Sequence, residues 1–192
     1  MALHRTKLAI GAAMLALTLV WPATPGSASA AGVTTGESAL VTDEETLAMQ
    51  QALRAEVAQR ETLTAQGSVC YAVHLQNIQG WLYPYCDGKI AGTVGQNRQL
   101  EAFAVYGSGG DVCYFAHVQS IGWQEQRCDN EMAGTMGGNL QVEGIKITAR
   151  LYRICYEAHV QNIGWQGQRC GGELAGTVGQ NRQIEAITID MK

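Results

Sequence analysis

Basic residues are scarce in this 192-residue chain: 13 Lys and Arg stand against 17 Asp and Glu, giving a formal net charge of -4 and an isoelectric point near 5.5. Nucleic-acid binding draws on a dense positive surface, so this balance argues against that class of partner. Only 16% of residues are charged and 46% are hydrophobic, too many for a wholly disordered chain. Long apolar runs are also lacking. The one present, Leu8–Trp21, is interrupted by Thr18 and reaches about two-thirds of the roughly 20 residues a spanning helix needs. No cysteine lies near Ala28-Ser29-Ala30, so a lipoprotein has no support. No nucleophile motif stands out, and the Gly-Thr-x-Gly runs lack the lysine of a phosphate-binding loop.

The first residues carry His4, Arg5 and Lys7 and no acid, followed by the short apolar run and the small residues Ala28-Ser29-Ala30. That order predicts a signal peptide over residues 1–30, cleaved near Ala30, and a secreted protein with no membrane span in its mature chain. Residues 31–68 read as a linker or helical stalk. Gly32–Gly36 is small and polar, and Thr42-Asp43-Glu44-Glu45 fits a capping box. Met49, Leu53 and Val57 then recur every four residues, which predicts a short helix over about 43–63. Its apolar stripe is narrow, so the helix needs a surface to dock on.

From Val69 onward one unit is written three times, over about 69–106, 112–149 and 154–190. Each copy runs Cys-Tyr, Ala, His, Gly-Trp, Cys, Ala-Gly-Thr-x-Gly and Glu. Trp81, Trp123 and Trp165 are each 42 residues apart, as are Glu101, Glu143 and Glu185. Within a copy the period is two: Tyr71, Val73 and Leu75 oppose Cys70, His74 and Gln76, which is the pattern of a half-buried strand. A turn, a short strand at the Trp, a glycine-rich bend and a closing strand such as Gln183–Ile189 follow. One such unit has too few strands to bury its own face, so the 69–192 segment should pack as an all-β domain around a pseudo-threefold axis. A β-prism is the first expectation and a β-trefoil the alternative. The Gln-x-Trp of trefoil lectins occurs once, at Gln79-Gly80-Trp81, with Ile121 and Ile163 at the matching positions elsewhere.

The Tyr-x-x-His-Val/Leu-Gln, Gly-Trp, Gly-Thr-x-Gly and Glu-Ala/Gly-Ile/Phe pattern resembles the ChW repeat, the Clostridial hydrophobic repeat with a conserved Trp. The resemblance implies a secreted or surface protein of a Gram-positive bacterium that binds polysaccharide, proteins or other cells, with no catalytic residues established. The cysteines are an addition to the usual pattern.

Export to an oxidising compartment makes an even cysteine count read as disulfides. Repeat symmetry selects Cys70–Cys86, Cys113–Cys128 and Cys155–Cys170 from the 15 pairings six cysteines allow. A zinc site using each Cys pair and its His is the rival, and it lacks an orienting partner. His74, His117 and His159 could act as bases and Glu101, Glu143 and Glu185 as acids. Catalysis needs differentiated roles, however, and every candidate here occurs in triplicate, so these residues read as structural polar groups and the protein as no enzyme, with neither cofactor nor metal. By strand parity each Glu shares a face with apolar residues, as Glu185 does with Ile187 and Ile189. It then needs donors from the Gly-Thr-x-Gly bend or the His.

The tryptophans read first as core or inter-repeat anchors. The functional reading makes Trp81, Trp123 and Trp165 stacking platforms for sugar rings, flanked by the amides of Gln76, Asn77, Gln119, Gln161 and Asn162. Tyr83 and Tyr85 in Leu82-Tyr83-Pro84-Tyr85 form an aromatic patch found in the first copy alone, fit for a special contact or for packing against the helix. The leading expectation is a non-enzymatic module binding polysaccharide or another cell-envelope component. A protein-interaction or structural module is the alternative, and a hydrolase comes third.

Overall fold

A strand that alternates apolar and polar residues forms when its apolar side finds a partner, and here the partners are the other two repeats. A computed structural model describes residues 43–63 and 67–192. The expected signal peptide, its cleavage point at Ala30 and the Thr42 cap lie outside the described residues.

The first repeat contains β1 (Val69–Leu75), β2 (Leu82–Cys86), β3 (Ala91–Gly92) and β4 (Leu100–Gly107). The second contains β5 (Val112–Val118), β6 (Gly122–Trp123), β7 (Arg127–Cys128), β8 (Ala133–Gly134) and β9 (Val142–Ala149). The third contains β10 (Ile154–Val160), β11 (Gly164–Trp165), β12 (Arg169–Cys170), β13 (Ala175–Gly176) and β14 (Ile184–Met191). In each, the long first and last strands pair antiparallel: β1 with β4, β5 with β9, and β10 with β14. Three sheets result, one per repeat, and their inner faces share a single apolar core. Tyr71, Val73, Phe103, Tyr114, Ile147, Tyr156 and Ile187 all belong to it and are fully or almost fully buried. Three separate sheets around one core make the prism-like arrangement.

The repeats are not merely stacked. Each two-residue Ala-Gly strand leaves its own repeat and pairs with the closing strand of the one before it. Thus β8 pairs with β4, β13 with β9, and β3 of the first repeat with β14 of the third. Backbone bonds follow the same cyclic order: Asn130 N to Val105 O, Gly172 N to Ile147 O, and Gly88 N to Ile189 O, at 2.8–2.9 Å. The ring is therefore closed by pairing the first repeat with the last. Glycine is required at the crossing, because a Cβ on Gly92, Gly134 or Gly176 would lie 2.2–2.3 Å from the carbonyl oxygen of Glu185, Glu101 or Glu143.

The core tyrosines hold the bends that launch these strands. The hydroxyls of Tyr71, Tyr114 and Tyr156 donate to the backbone carbonyls of Lys89, Glu131 and Glu173. Disulfides join Cys70 to Cys86, Cys113 to Cys128 and Cys155 to Cys170, each between residues in direct cross-strand register.

Helix α1 (Asp43–Leu63) lies on the outer face of the first sheet. Its first turn holds Asp43, Glu44 and Glu45 and its last turn Arg60, which suits the helix dipole. Met49, Leu53 and Val57 are buried against Cys70, Ala72, Trp81, Cys86, Ala102 and Ala104. Burying such side chains contributes roughly 1.5–3 kcal/mol each, which a narrow stripe needs to hold a helix in place. The seat exists in one repeat because its outward positions are small. Where the first sheet has Ala72 and Ala104, the second has Phe115 and Lys146 and the third Glu157 and Thr188. Polar bonds add register: Gln50 Nε2 donates to Asn130 O and Asn130 Nδ2 donates to Gln50 O, both at 3.0 Å, and Arg60 reaches Asp87 at 3.2 Å.

Candidate functional site

Each closing strand carries an irregularity at its Glu. His74 pairs with Ala102 and Leu75 with Leu100, so Glu101 is the extra residue of a β-bulge; Glu143 and Glu185 occupy the same position in their repeats. A bulge redirects a side chain without breaking the sheet. This corrects the strand-parity expectation that Glu185 shares a face with Ile187 and Ile189. Those isoleucines stay in the core with Ile184, while the bulge turns Glu185 toward His159 on the outer side.

The three glutamates are buried, each with Oε2 3.2 Å from the Nδ1 of His74, His117 or His159. These approaches are not aligned as hydrogen bonds. Aligned donors come from elsewhere. Gln99 Nε2 donates to Glu101 Oε1 and Gln141 Nε2 to Glu143 Oε1, each at 3.2 Å. From the following repeat, Gly95 N donates to Glu185 Oε2 at 3.1 Å and Gly179 N to Glu143 Oε2 at 3.3 Å. Of the expected donors, the glycine bend reaches Glu143 and Glu185 but from the neighbouring repeat, while each His lies beside its carboxylate without an aligned hydrogen bond.

Each His ring meets its Trp edge to face, with centroids 5.9 Å apart for His74–Trp81 and 5.3 Å apart for His117–Trp123 and His159–Trp165. The tryptophans therefore stand on the outer faces beside the His–Glu pairs. The core-anchor expectation does not hold for Trp123 and Trp165. Trp123 is 39% exposed beneath the Lys146 ammonium, 4.7 Å from its ring centroid, and Trp165 is half-buried. Trp81 is 8% exposed because α1 covers it, and its Nε1 donates to Thr46 Oγ1 at 3.4 Å. One triplicated residue thus has two environments.

The flanking amides bridge the seams. Gln76 donates to Asn139, Gln119 to Asn181 and Gln161 to Asn97, each pair spanning two repeats. A further glutamine of each repeat, Gln99, Gln141 or Gln183, donates to the same Asn oxygen at 3.2 Å. These asparagines have φ of 51–55°, a left-handed conformation that Asn tolerates well. Asn77 and Asn162 occupy exposed turns beside the glutamines, also at positive φ.

Clefts open along the seams. One of about 650 Å3 is lined by His74, Gln76, Asn77 and Glu101 of the first repeat with Met132, Met136 and Asn139 of the second. Another of about 450 Å3 joins His159, Gln161, Asn162 and Glu185 of the third repeat to Gly95 and Asn97 of the first. The aromatic patch of the first copy is split rather than gathered. Tyr85 packs toward the core and stacks on Tyr71, with centroids 6.4 Å apart, while Tyr83 is exposed beside α1 with Glu45 and Ala48.

Among the described residues no group of three His, Cys, Asp or Glu is placed to hold a metal, and all six cysteines are paired. The zinc alternative thereby loses its thiolates. Gln99, Gln141, Gln183 and Asn97, Asn139, Asn181 were not among the candidates read from the sequence. Their 42-residue spacing is the signal that marks them.

A ring of three sheets with one polar constellation repeated at each seam defines a tandem-repeat β domain with composite, repeated sites. Compared with known families, the chain matches ChW (Clostridial hydrophobic W) three times, over residues 74–106, 117–148 and 159–192. The chain belongs to the ChW family. No curated protein and no solved structure matches it.

Proposed function

We propose that this chain is a secreted, non-enzymatic module that recognises polysaccharide or another cell-envelope component through its seam clefts. The observation that carries the reading is the repetition of one polar constellation, His, Glu, two Gln and a neighbouring Asn, at all three seams. Identical weak sites spaced around a ring suit a polymer of identical units, because linked binding raises avidity without new contacts. Three intra-repeat disulfides fit an oxidising, extracellular setting, and no described helix is long and apolar enough to cross a membrane. A hydrolytic reading gains little, since each Glu is already engaged and its role is the same in every copy.

Retention of the folded chain on cell-wall, chitin or cellulose particles tests the proposal. Binding to one of them, weakened in Gln119→Ala and Gln161→Ala together, supports it; no retention on any polymer sinks it. A protein-interaction module is the second reading, favoured by the precedent of α1 seated on the first sheet and by exposed Trp123 on the second.

A further inference from the structure

We propose that Asn139 reads the ligand in the first seam cleft, and that the group it reads is the acetamido substituent of an N-acylated amino sugar. The inference rests on the polysaccharide reading above and names its substrate class. It follows from the polarity of one hydrogen-bond chain. Gln99 Nε2 donates to Glu101 Oε1, which turns the NH2 of Gln99 toward the carboxylate. That same Nε2 donates to Asn139 Oδ1 at 3.2 Å, and Gln76 Nε2 donates to the same oxygen. Both lone pairs of Asn139 Oδ1 are then used, and the amide cannot flip without setting its NH2 against two NH2 groups.

What remains is one unused donor and one unused acceptor on two hydrogen-bonded side chains. Asn139 Nδ2 and Gln76 Oε1 have no hydrogen-bond partner among the described residues, and both residues line the cavity. Asn139 is exposed. An amide carbonyl is the complement of the donor and accepts from Asn139 Nδ2, while the acceptor Gln76 Oε1 is left for a sugar hydroxyl. The acyl methyl needs an apolar wall, and Ile78, Met132 and Met136 line the same cavity. Ionic ligands fit worse. No Lys or Arg lines the cleft, which disfavours an acid, and Arg98 reaches only the backbone carbonyl of Gln76, at 3.5 Å. The one carboxylate that could pair with a free amine, Glu101, is buried and already engaged.

Chitotriose and cellotriose share a linkage and differ at the acetamido position, so they are the probes. The folded full-length chain is titrated with each, following the Asn139 side-chain NH2 and the Met132 and Met136 methyls by NMR. Chitotriose should shift these signals with an affinity at least about tenfold above that of cellotriose, a difference of the size one lost polar pair produces. Asn139→Asp keeps the acceptor oxygen and the tolerated backbone conformation but replaces the donors with a second oxygen. It should weaken chitotriose at this cleft by about tenfold or more while the remaining spectrum keeps its dispersion. Equal affinity for the two sugars, or an Asn139→Asp variant within about twofold of the parent, overturns the acetamido assignment and leaves the polymer reading standing. Silence of the first-cleft signals toward both sugars also overturns it, whereas the broader reading fails only if the polymer particles retain nothing.

Discussion

Gly134 of the second repeat lies directly over the backbone carbonyl of Glu101 in the first, so close that a Cβ would stand 2.2 Å from the oxygen. The same contact lets Thr135 N donate to Glu101 O at 2.8 Å and zips β8 onto β4. Gly134 also has φ of 110°, which side chains rarely adopt. Gly134→Ala should therefore cost about 3 kcal/mol or more in chemical denaturation, since steric overlap and backbone strain add. A loss below about 1 kcal/mol would mean that the seam yields easily.

Docking of α1 sets the environment of Trp81. Leu53→Ala should lower stability by about 2–5 kcal/mol, as for other large-to-small changes at fully buried sites. Leu53→Asp should release the helix and leave Trp81 open to a quencher while the three sheets, each with its own disulfide, stay folded. In the parent chain, quenching should reach Trp123 and spare Trp81, as single-Trp variants would show.

Non-reducing peptide mapping should recover three intra-repeat disulfides and no cross-links between repeats. Replacing both Cys113 and Cys128 by Ser should destabilise the fold by about 3 kcal/mol, the chain-entropy value for a loop of about 15 residues. The outer ends of β5 and β7 should then exchange amide hydrogens first.

Alkaline pH probes the core. Burial pushes the phenols of Tyr71, Tyr114, Tyr152 and Tyr156 above the ordinary value of 10.0, countered in part at Tyr71, Tyr114 and Tyr156 by backbone hydrogen bonds. A raised value means that their contribution is complete below pH 10.0 and is lost above it, as the unfolded chain ionises and the folded one does not. Absorbance and circular dichroism followed together should show these four phenolates appearing only as β structure disappears. Ionisation with the sheets intact would contradict the burial.

Much of this architecture is legible in the sequence because repetition multiplies a weak signal. Tyr71, Tyr114 and Tyr156 recur on the same parity, so the inward face is read three times, and the cysteine spacing repeats with them. The carboxylates are harder. Counting by twos places Glu185 with Ile187, and only a bulge, which leaves no local mark in the residue types, moves it to the other side. Exchange of β3, β8 and β13 is hidden for a related reason: Ala-Gly pairs equally well with its own repeat or its neighbour on paper. Three-dimensional closure decides, and with it which Asn meets which Gln. The helix seat was visible in principle as Ala72 and Ala104, small where the other copies carry Phe115, Glu157, Lys146 or Thr188, but divergence in outward positions is easily taken for surface drift.

The pairing of β3 with β14 has a consequence for how such a chain can grow. In an open array each added unit extends the end and contributes its own increment of stability. Here the last unit already grips the first, so there is no free end to extend. A two-unit fragment would hold one intact junction and two torn ones, and a fourth unit could enter only by prising the circle apart.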